Sequence, residues 1–519
     1  MPARVARNSI TSPIFRAKGQ KSYFYPHEKL SPGDCEILTN INIDEQGVTT
    51  KRNGYTLFNT AQIASAPALT GLIEEKFTDG TILRIEQAAS AIYTDDGTTR
   101  TAVTGTAETA NDKDQRVRHA FIDNTIFGTD GNSRPWTKGS SGNAAVMAAS
   151  IAFAQASGDY AKDFVVHQNL LIALNTKENG TLFPTRVRWC DIDERTFVID
   201  PTVFPDSNRF EVYDEGPAIV GGTDNFGRLL VFKEDGLYPC TMEMIVGFIE
   251  LRLLRDQMYR GFSPVARSSI ISRPEFSWCV AKDGAYIIVP SGDQLQVQLV
   301  TRDVQKEWND LNQSRIKDAV SWVREKDHQV RTLLPASGTT SGHDRIMVYD
   351  WETGAVFFDE PNDAINFASS FRIYDVEHDF LGSTDGYVYT GNNGSQDNSN
   401  DINWTIKYTP NDLGMPGKSK DFKFIKIHYR NTAGSQAVLL TLILDEGKSA
   451  SRTNAFTFGT NMTWDSGLKW DDGLMWPSAD NSVDSFFINR VAETVSAQFT
   501  GSDSFQLTGI QFEYVPLEQ

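Results

Sequence analysis

The sequence predicts an all-β protein: a β-propeller of five to eight blades, preceded by an extended N-terminal arm and followed by a C-terminal β-sandwich-like domain. Short apolar runs alternate with turn residues along most of the chain, whereas helical spacing is rare. Asp-Gly pairs recur between these runs, and each is expected to close a hairpin through a type I′ turn, because both residues tolerate positive φ. The seven pairs are Asp79-Gly80, Asp96-Gly97, Asp130-Gly131, Asp235-Gly236, Asp283-Gly284, Asp385-Gly386 and Asp472-Gly473.

The composition argues against several classes of protein. The chain has 519 residues, 40% of them hydrophobic, which is enough for two or three domains with apolar cores. The net charge of −18 argues against tight binding of nucleic acid or of an anionic membrane surface. An acidic wall can still guide DNA, because like charge keeps the polymer from adhering. No apolar run is long enough for a bilayer span and no signal-like segment follows Met1, so we expect no membrane insertion by this chain.

Residues 1–66 form the first predicted region, a basic arm and a hairpin. The arm carries Arg4, Arg7, Arg16 and Lys18 among several prolines, so its charge is opposite to that of the whole chain. It is either a frayed terminus or an arm that docks on an acidic neighbouring subunit, and these four side chains are candidate docking residues. The hairpin is expected at residues 40–51.

Residues 67–400 form the predicted propeller, and residues 401–519 form the predicted sandwich-like domain. One whole blade is expected at residues 69–103, where four strand-like runs are separated by Asp-Gly turns or short links. The segment 302–316 is the best helix candidate, because its apolar residues recur at helical intervals. An Asn/Ser/Gly-rich stretch at 391–401 marks the domain boundary, and several further strands follow it.

The sequence contains no motif that announces catalysis, a metal site or nucleotide binding. The histidines stand singly, and neither a Walker pattern nor a nucleophile elbow occurs. We therefore expect no enzyme activity, no cofactor, no catalytic residue and no metal site, although an Asp-bearing calcium loop at 397–401 stays open beside a solvated loop. The cysteines lack a CxxC pair and are expected to be buried thiols. They are Cys35, Cys190, Cys240 and Cys279.

Three tryptophans near the C-terminus lie in two overlapping segments that resemble the Asp-box of sialidase-like propellers. Trp464, Trp470 and Trp476 recur at a spacing of six residues, so they share one face of an extended chain. Three interpretations are open: a structural turn, a partner-contact surface or a sugar-binding surface. We name the three tryptophans as candidate docking residues, beside the four basic residues of the arm.

Four passages stand in an informative order along the chain. The first runs from Pro32-Gly-Asp34 through Asn40-Ile-Asn-Ile43 to Lys51-Arg-Asn-Gly-Tyr55. The others are His167-Gln-Asn-Leu-Leu-Ile-Ala173 with Arg186-Val-Arg-Trp189, Arg228-Leu-Leu-Val-Phe-Lys233, and Gly382-Ser-Thr-Asp-Gly-Tyr-Val-Tyr389. In this order they resemble the tail nozzle proteins of short-tailed bacteriophages (podoviruses), also described as tail tubular protein B, and a related group that stabilises packaged DNA. The resemblance extends in patches over residues 30–430.

The resemblance implies a structural protein of the virion tail, assembled in the host cytoplasm. Such a protein forms a homo-oligomeric ring, commonly a hexamer, below the portal and the head-to-tail adaptor protein. It also holds a tail fibre or a needle or plug protein. Double-stranded DNA passes through the ring during ejection without sequence-specific binding. An acidic bore agrees with this expectation, because strong attraction would arrest the DNA.

Two alternatives stay open: a carbohydrate- or receptor-binding propeller protein, and a propeller glycosidase. A glycosidase is expected to place two carboxylates about 5–10 Å apart in the central funnel. A receptor binder is expected to bind cell-surface glycan by itself.

Overall fold

The computed structural model describes residues 9–21, 31–44, 46–109, 116–192, 199–213, 216–245, 248–254, 257–339, 341–373, 376–430, 436–445, 452–458 and 482–517. Regular structure in these ranges is almost entirely β, as the sequence predicts. The chain divides into two compact units. Unit 1 contains residues 1–55, 347–362 and 392–519, and unit 2 contains residues 56–346 and 363–391.

The N-terminal part of unit 1 contributes five short strands. These are β1 (Ile10–Thr11), β2 (Gly19–Gln20), β3 (Asp34–Thr39), β4 (Ile41–Ile43) and β5 (Thr49–Lys51). The hairpin predicted at residues 40–51 is confirmed, because β4 and β5 pair in antiparallel fashion.

Unit 2 consists of consecutive antiparallel sheets, which we call blades 1 to 7. It begins with β6 (Thr56–Leu57). Blade 1 is β7 (Leu69–Lys76), β8 (Ile82–Ala88), β9 (Ala91–Asp95) and β10 (Arg100–Ala102). Blade 2 is β11 (Arg118–Ile122), β12 (Thr125–Thr129), β13 (Trp136–Lys138) and β14 (Ala145–Val146). Blade 3 contains β15 (Tyr160–His167), β16 (Leu170–Glu178) and β17 (Thr181–Trp189), then the separate hairpin of β18 (Asp191–Ile192) and β19 (Ile199–Asp200), and ends with β20 (Arg209–Glu211).

The next blades continue this pattern. Blade 4 is β21 (Ile219–Asn225), β22 (Arg228–Lys233), β23 (Gly236–Ile245) and β24 (Phe248–Leu253), with β25 (Tyr259–Arg260) beside β23. Blade 5 is β26 (Pro264–Arg273), β27 (Phe276–Ala281), β28 (Gly284–Ser291) and β29 (Gln294–Leu299). The helix predicted at 302–316 is confirmed in part, as the five-residue α1 (Gln305–Asn309) between the 3-10 turns Thr301–Val304 and Gln313–Asp318. A further 3-10 turn is Ala152–Ala154.

Blade 6 begins in unit 2 with β30 (Val320–Arg324) and β31 (Gln329–Leu334). The strand β32 (Arg345–Asp350) then carries the chain into unit 1, where β33 (Val356–Asp359) follows. Blade 7 is β34 (Ile365–Ile373), β35 (Val376–Ser383) and β36 (Val388–Thr390), and its fourth strand is β6 from the start of the unit.

The first strands of the blades form a closed ring. Each of β7, β11, β15, β21, β26 and β30 contacts the first strand of the next blade, and β34 of blade 7 contacts β7. Unit 2 is therefore a seven-bladed β-propeller, within the predicted range of five to eight blades. The apolar cores lie between neighbouring blades, as where Ile73 and Ile85 of blade 1 cluster with Ile126 and Trp136 of blade 2.

Unit 1 is completed by strands that follow the propeller. They are β37 (Gln396–Asp397), β38 (Asn400–Asp401), β39 (Trp404–Tyr408), β40 (Lys420–Tyr429), β41 (Gln436–Leu444), β42 (Arg452–Phe458), β43 (Ser482–Ala492), β44 (Val495–Gly501) and β45 (Gln506–Pro516). One sheet has the order β4-β5-β45-β40-β43, and in the other β3 pairs with β39, which leads to β44, β41 and β42. The N-terminal strands thus share their sheets with the C-terminal strands. This arrangement differs from the sequence-based division of the chain into consecutive regions with boundaries at residues 67 and 401.

The type I′ assignment of the Asp-Gly turns is wrong for the six pairs in the described residues. A type I′ turn requires a positive φ at both central positions, and none of those aspartates has a positive φ. The carboxylates of Asp79, Asp96 and Asp130 instead accept hydrogen bonds from the backbone that follows, as from Thr81 N to Asp79 (2.8 Å). Those of Asp235, Asp283 and Asp385 accept from the hydroxyls of Tyr238, Tyr286 and Ser383. Positive φ at both central positions occurs instead at Asp123-Asn124 and at Gln168-Asn169, and each of these pairs of residues joins two paired strands. Asp472-Gly473 lies outside the described residues.

Two other sequence expectations concern buried groups. The four cysteines are free and buried, as predicted. Asp397, in the stretch considered for calcium, is neither a solvated residue nor a free ligand: it is fully buried and bonded to Arg52. Among the described helices, none has the length and apolar character of a membrane span.

Candidate functional site in the propeller channel

The first strands of the blades enclose a cavity of about 440 Å³. This volume lies in the usual range of small-molecule sites. Its lining comes from six of the seven blades and includes the hydroxyl-bearing residues Thr223, Ser268 and Ser369. The cavity is therefore the candidate functional site of unit 2.

An arginine bridge, which we define as Arg118 and Arg267, crosses the ring at one end of this cavity. Arg118 of blade 2 donates to the Ile270 carbonyl of blade 5 at 3.2 Å and to Asp163 of blade 3 at 2.9 Å. Arg267 of blade 5 donates in the opposite direction, to the Asp130 carbonyl at the end of β12 (3.1 Å). Because blades 2 and 5 are not neighbours in the ring, these bonds span the channel. Arg118 lines the cavity and Arg267 does not.

The other end of the cavity carries a network of paired charges. Glu325 of blade 6 bonds Arg372 of blade 7 at 2.8 Å and is also paired with Arg273 of blade 5. Burial would raise the pKa of Glu325, but the hydrogen bonds and charges of these two arginines outweigh it and lower the pKa. Glu377 accepts from the backbone N–H of Glu325 at 2.6 Å. These carboxylates are thus engaged in holding blades together.

Glu75 differs from the other carboxylates of the lining. Its side chain has no hydrogen-bond or ion-pair partner within the ranges described above, whereas its neighbour Glu74 is paired with Arg84. Burial, and then the charge of Glu74, raise the pKa of Glu75 to about 7. Burial, with a contribution from Arg118, lowers the pKa of His119 in the same cavity to about 3, so its imidazole is neutral at physiological pH.

The substitution Glu75→Gln should stabilise the protein at pH 8 and have little effect at pH 5. Between these pH values the folded chain retains the Glu75 proton that the unfolded chain has released, so stability falls as pH rises through this window. We expect the variant to gain about 2 kcal/mol at pH 8, a value reduced for partial exposure. Thermal unfolding at both pH values measures this. The exposed Asp293→Asn variant is the control, and an equal gain at both pH values would contradict the prediction.

The sequence-predicted docking residues lie elsewhere. Arg16 and Lys18 are exposed in unit 1, where the Arg16 guanidinium donates to the Gln46 carbonyl at 3.0 Å and Lys18 N donates to the Gly33 carbonyl at 3.0 Å. This part of the predicted arm is thus hydrogen-bonded into unit 1 and not frayed. Arg4, Arg7 and the tryptophans Trp464, Trp470 and Trp476 lie outside the described residues.

Sequence reasoning missed the residues of the channel. Glu75, Arg118, Arg267 and Glu325 stand on four different blades, and they come together only when the ring closes. The one signal in the sequence that could have indicated these residues was a charged residue in or beside the otherwise apolar first strand of a blade.

Comparisons with known proteins add little to this site. No family model and no curated protein matches the chain. Among solved structures, the chain is similar to the WD40 domain of Pan2 from Neurospora crassa, with 8% identity and a TM-score of 0.39 over 66% of this chain and 95% of that one. It is also similar to the extracellular domain of a hybrid two-component system from B. thetaiotaomicron, with 10% identity and a TM-score of 0.39 over 78% of this chain and 47% of that one. The propeller assignment rests on the strand pairing described above.

Proposed function

We propose that this chain is a structural component of the tail of a short-tailed bacteriophage. As a nozzle subunit it forms a ring below the portal and adaptor, conducts and retains the genomic DNA, and anchors tail fibres or a plug. The observation that carries the proposal is the role of the residues in the passages that resemble nozzle proteins. These residues fix the backbone of their own unit and do not line the cavity.

The first passage supplies such residues in unit 1. The Arg52 guanidinium donates to both carboxylate oxygens of Asp397, at 2.8 and 2.5 Å, and to Asn40 Oδ1 at 2.8 Å. Gly54 has a similar role, because a Cβ there would lie 1.8 Å from the Gln396 carbonyl oxygen. A glycine is therefore required where the two backbones meet.

The second passage supplies such residues in unit 2. Arg188 donates to both carboxylate oxygens of Glu178, at 2.7 and 2.8 Å, and Arg186 donates to the same carboxylate at 2.8 Å. The His167 Nδ1 lies 2.6 Å from Asp224 Oδ1, which joins blades 3 and 4. These contacts favour a rigid building block over a chemical role for the passage.

The size of the cavity limits where DNA could pass under this proposal. The cavity holds only about 440 Å³, and the arginine bridge crosses its end. A duplex, whose major groove alone is about 12 Å wide, does not fit along the propeller axis. The proposal therefore requires a bore between several copies of the chain, with the net charge of −18 limiting adhesion of the DNA.

Assembly state tests the proposal directly. We expect the purified chain, alone or with the adaptor protein of its own phage, to sediment as a closed ring with a central bore in electron micrographs. Reversing the charges of Arg4, Arg7, Arg16 and Lys18 to glutamate should reduce assembly at low salt, because these side chains carry the charge opposite to that of the chain. The exposed Lys282→Glu is the matched control. Monomers alone under all these conditions would contradict the proposal.

One observation favours a second candidate, a propeller glycosidase. Glu75 is a carboxylate in the cavity that has no partner among the described residues, and its pKa of about 7 suits a general acid. The second carboxylate of such a site would have to be Glu325 or Glu377, and both are engaged by other groups. Hydrolysis of a glycan by the chain, abolished by Glu75→Gln, would replace the nozzle proposal with this one.

A further inference from the structure

One charged side chain in the cavity of the propeller channel is left unpaired by the protein itself. Glu75, near the end of β7, lines the cavity and has no hydrogen-bond or ion-pair partner in the described ranges. The other charged side chains of the lining are engaged by the groups described above; they are Arg118, Glu325, Arg372 and Glu377. In the described part of the chain, this lining therefore offers a free carboxylate to a cation and no free cation to an anion.

Three hydroxyl groups of the lining also have no partner among the described residues. Thr223 of blade 4 is 8% exposed and Ser268 of blade 5 is 6% exposed, whereas Ser369 of blade 7 is partly buried. Buried hydroxyls are normally hydrogen-bonded, so these three take their partners from the molecules that occupy the cavity. Because they lie on three blades, a ligand that bonds more than one of them has to carry several polar groups.

The size and the remaining wall of the cavity limit the ligand further. The volume of about 440 Å³ admits a small molecule. Ile73, Val117 and Phe371 contribute to the apolar part of the wall, which suits the C–H face of a sugar-sized ring. A ligand that matches the whole lining thus combines a positive charge, hydroxyl groups and an apolar face.

A cation in the cavity would relieve the electrostatic cost of burying Glu75. Burial, and then the charge of Glu74, raise the pKa of Glu75 to about 7. An ammonium group beside the carboxylate would favour its ionised form and lower this pKa. His119 does not supply the positive charge, because its imidazole is neutral at physiological pH. The net charge of −18 also favours the approach of a cation.

We propose that the cavity of the propeller channel binds a small hydroxylated amine of the amino-sugar class. Its ammonium group pairs with the Glu75 carboxylate, and its hydroxyl groups bond those of Thr223, Ser268 and Ser369. The inference does not depend on the nozzle proposal. It also differs from the glycosidase candidate, because it requires binding and no cleavage of a bond.

Calorimetric titration of the full chain with two probes tests the site, at neutral pH and constant ionic strength. The probes are glucosamine and glucose, which differ by an ammonium group in place of one hydroxyl group. We expect the wild-type chain to bind glucosamine at least about tenfold more tightly than glucose, the effect of one charge-assisted hydrogen bond. Glu75→Gln should remove this preference and change the affinity for glucose by less than about twofold.

Two further variants separate the cavity from a general attraction of cations to an acidic chain. Asp293→Asn removes the same charge from an exposed residue of blade 5, so it should bind both probes like the wild type. Thr223→Val keeps the shape of the side chain and removes its hydroxyl, so it should weaken the binding of both probes about fivefold.

Four results would overturn the proposal. The wild-type chain binds neither probe, it binds both with equal affinity, Glu75→Gln retains the preference for glucosamine, or Glu75→Gln and Asp293→Asn lose it equally. Neither probe contains a bond to a second sugar, and neither titration requires a ring of subunits. The result is therefore independent of the glycosidase candidate and of the nozzle proposal.

Discussion

Replacing Arg52 with methionine should destabilise unit 1 by about 3–5 kcal/mol. The substitution leaves Asp397 and Asp359, both fully buried, without the guanidinium that faces them at 2.5 and 3.9 Å. It also removes the hydrogen bond that Arg52 Nε donates to Asn40 Oδ1, so the Asn40 side chain keeps only its other hydrogen bonds. Burial of uncompensated carboxylates is costly because the low-polarity interior replaces their hydration. Chemical denaturation followed by tryptophan fluorescence measures the loss.

Two further variants separate the buried charge from lost packing. Arg52→Met combined with Asp397→Asn should recover part of the stability, because one buried charge is then neutral. Lys423→Met removes an ion pair to Asp421 whose partners are 31% and 25% exposed, and it should change stability by less than about 1 kcal/mol. If Arg52→Met behaves like Lys423→Met, Arg52 does not hold unit 1 together.

Replacing Glu178 with alanine should destabilise blade 3 by a similar amount, about 3–5 kcal/mol. Its carboxylate is the shared counter-charge of Arg186 and Arg188, and Arg188 is 1% exposed. Both guanidiniums lose this buried acceptor, although Arg186 retains Glu211 at 2.6 Å and Arg188 retains the exposed Asp206 at 3.3 Å. Thermal unfolding of the full chain measures the effect.

The chain offers a matched control at the same arginine. Asp206 also pairs with Arg188, at 3.3 Å, but its side chain is 86% exposed. Asp206→Asn should therefore change stability by less than about 0.5 kcal/mol. Equal effects of Glu178→Ala and Asp206→Asn would show that burial of the pair is not what matters.

The fold was predictable from local signals. The hairpins lie between paired strands, and the apolar periodicity of those strands is visible without knowledge of the rest of the chain. The type of each turn could not be predicted from the sequence. An aspartate before glycine can either adopt a positive φ or accept backbone hydrogen bonds with its carboxylate, and the sequence pattern is the same in both cases.

The candidate sites were not predictable, because their contacts depend on ring closure. Arg118 and the Ile270 carbonyl are 152 positions apart in the sequence, and no local pattern relates them. The same holds for unit 1, where Thr50 of β5 pairs with Gln506 of β45. Sequence reasoning assigned these two strands to separate regions, because it follows the order of the chain and cannot detect strand pairing between distant segments.

Closure of the propeller by β6 has a consequence for synthesis on the ribosome. Leu57 pairs with Tyr389, so the last sheet needs one strand made at the very start of the unit and others made at its end. Until translation reaches blade 7, β34 cannot bridge blade 6 and blade 1, and the nascent ring keeps two open edges. Completion of the ring is thus a late and slow step, because it depends on contacts between residues far apart in the sequence. We expect the need for chaperone protection to be greatest before this step, while the two edges are open.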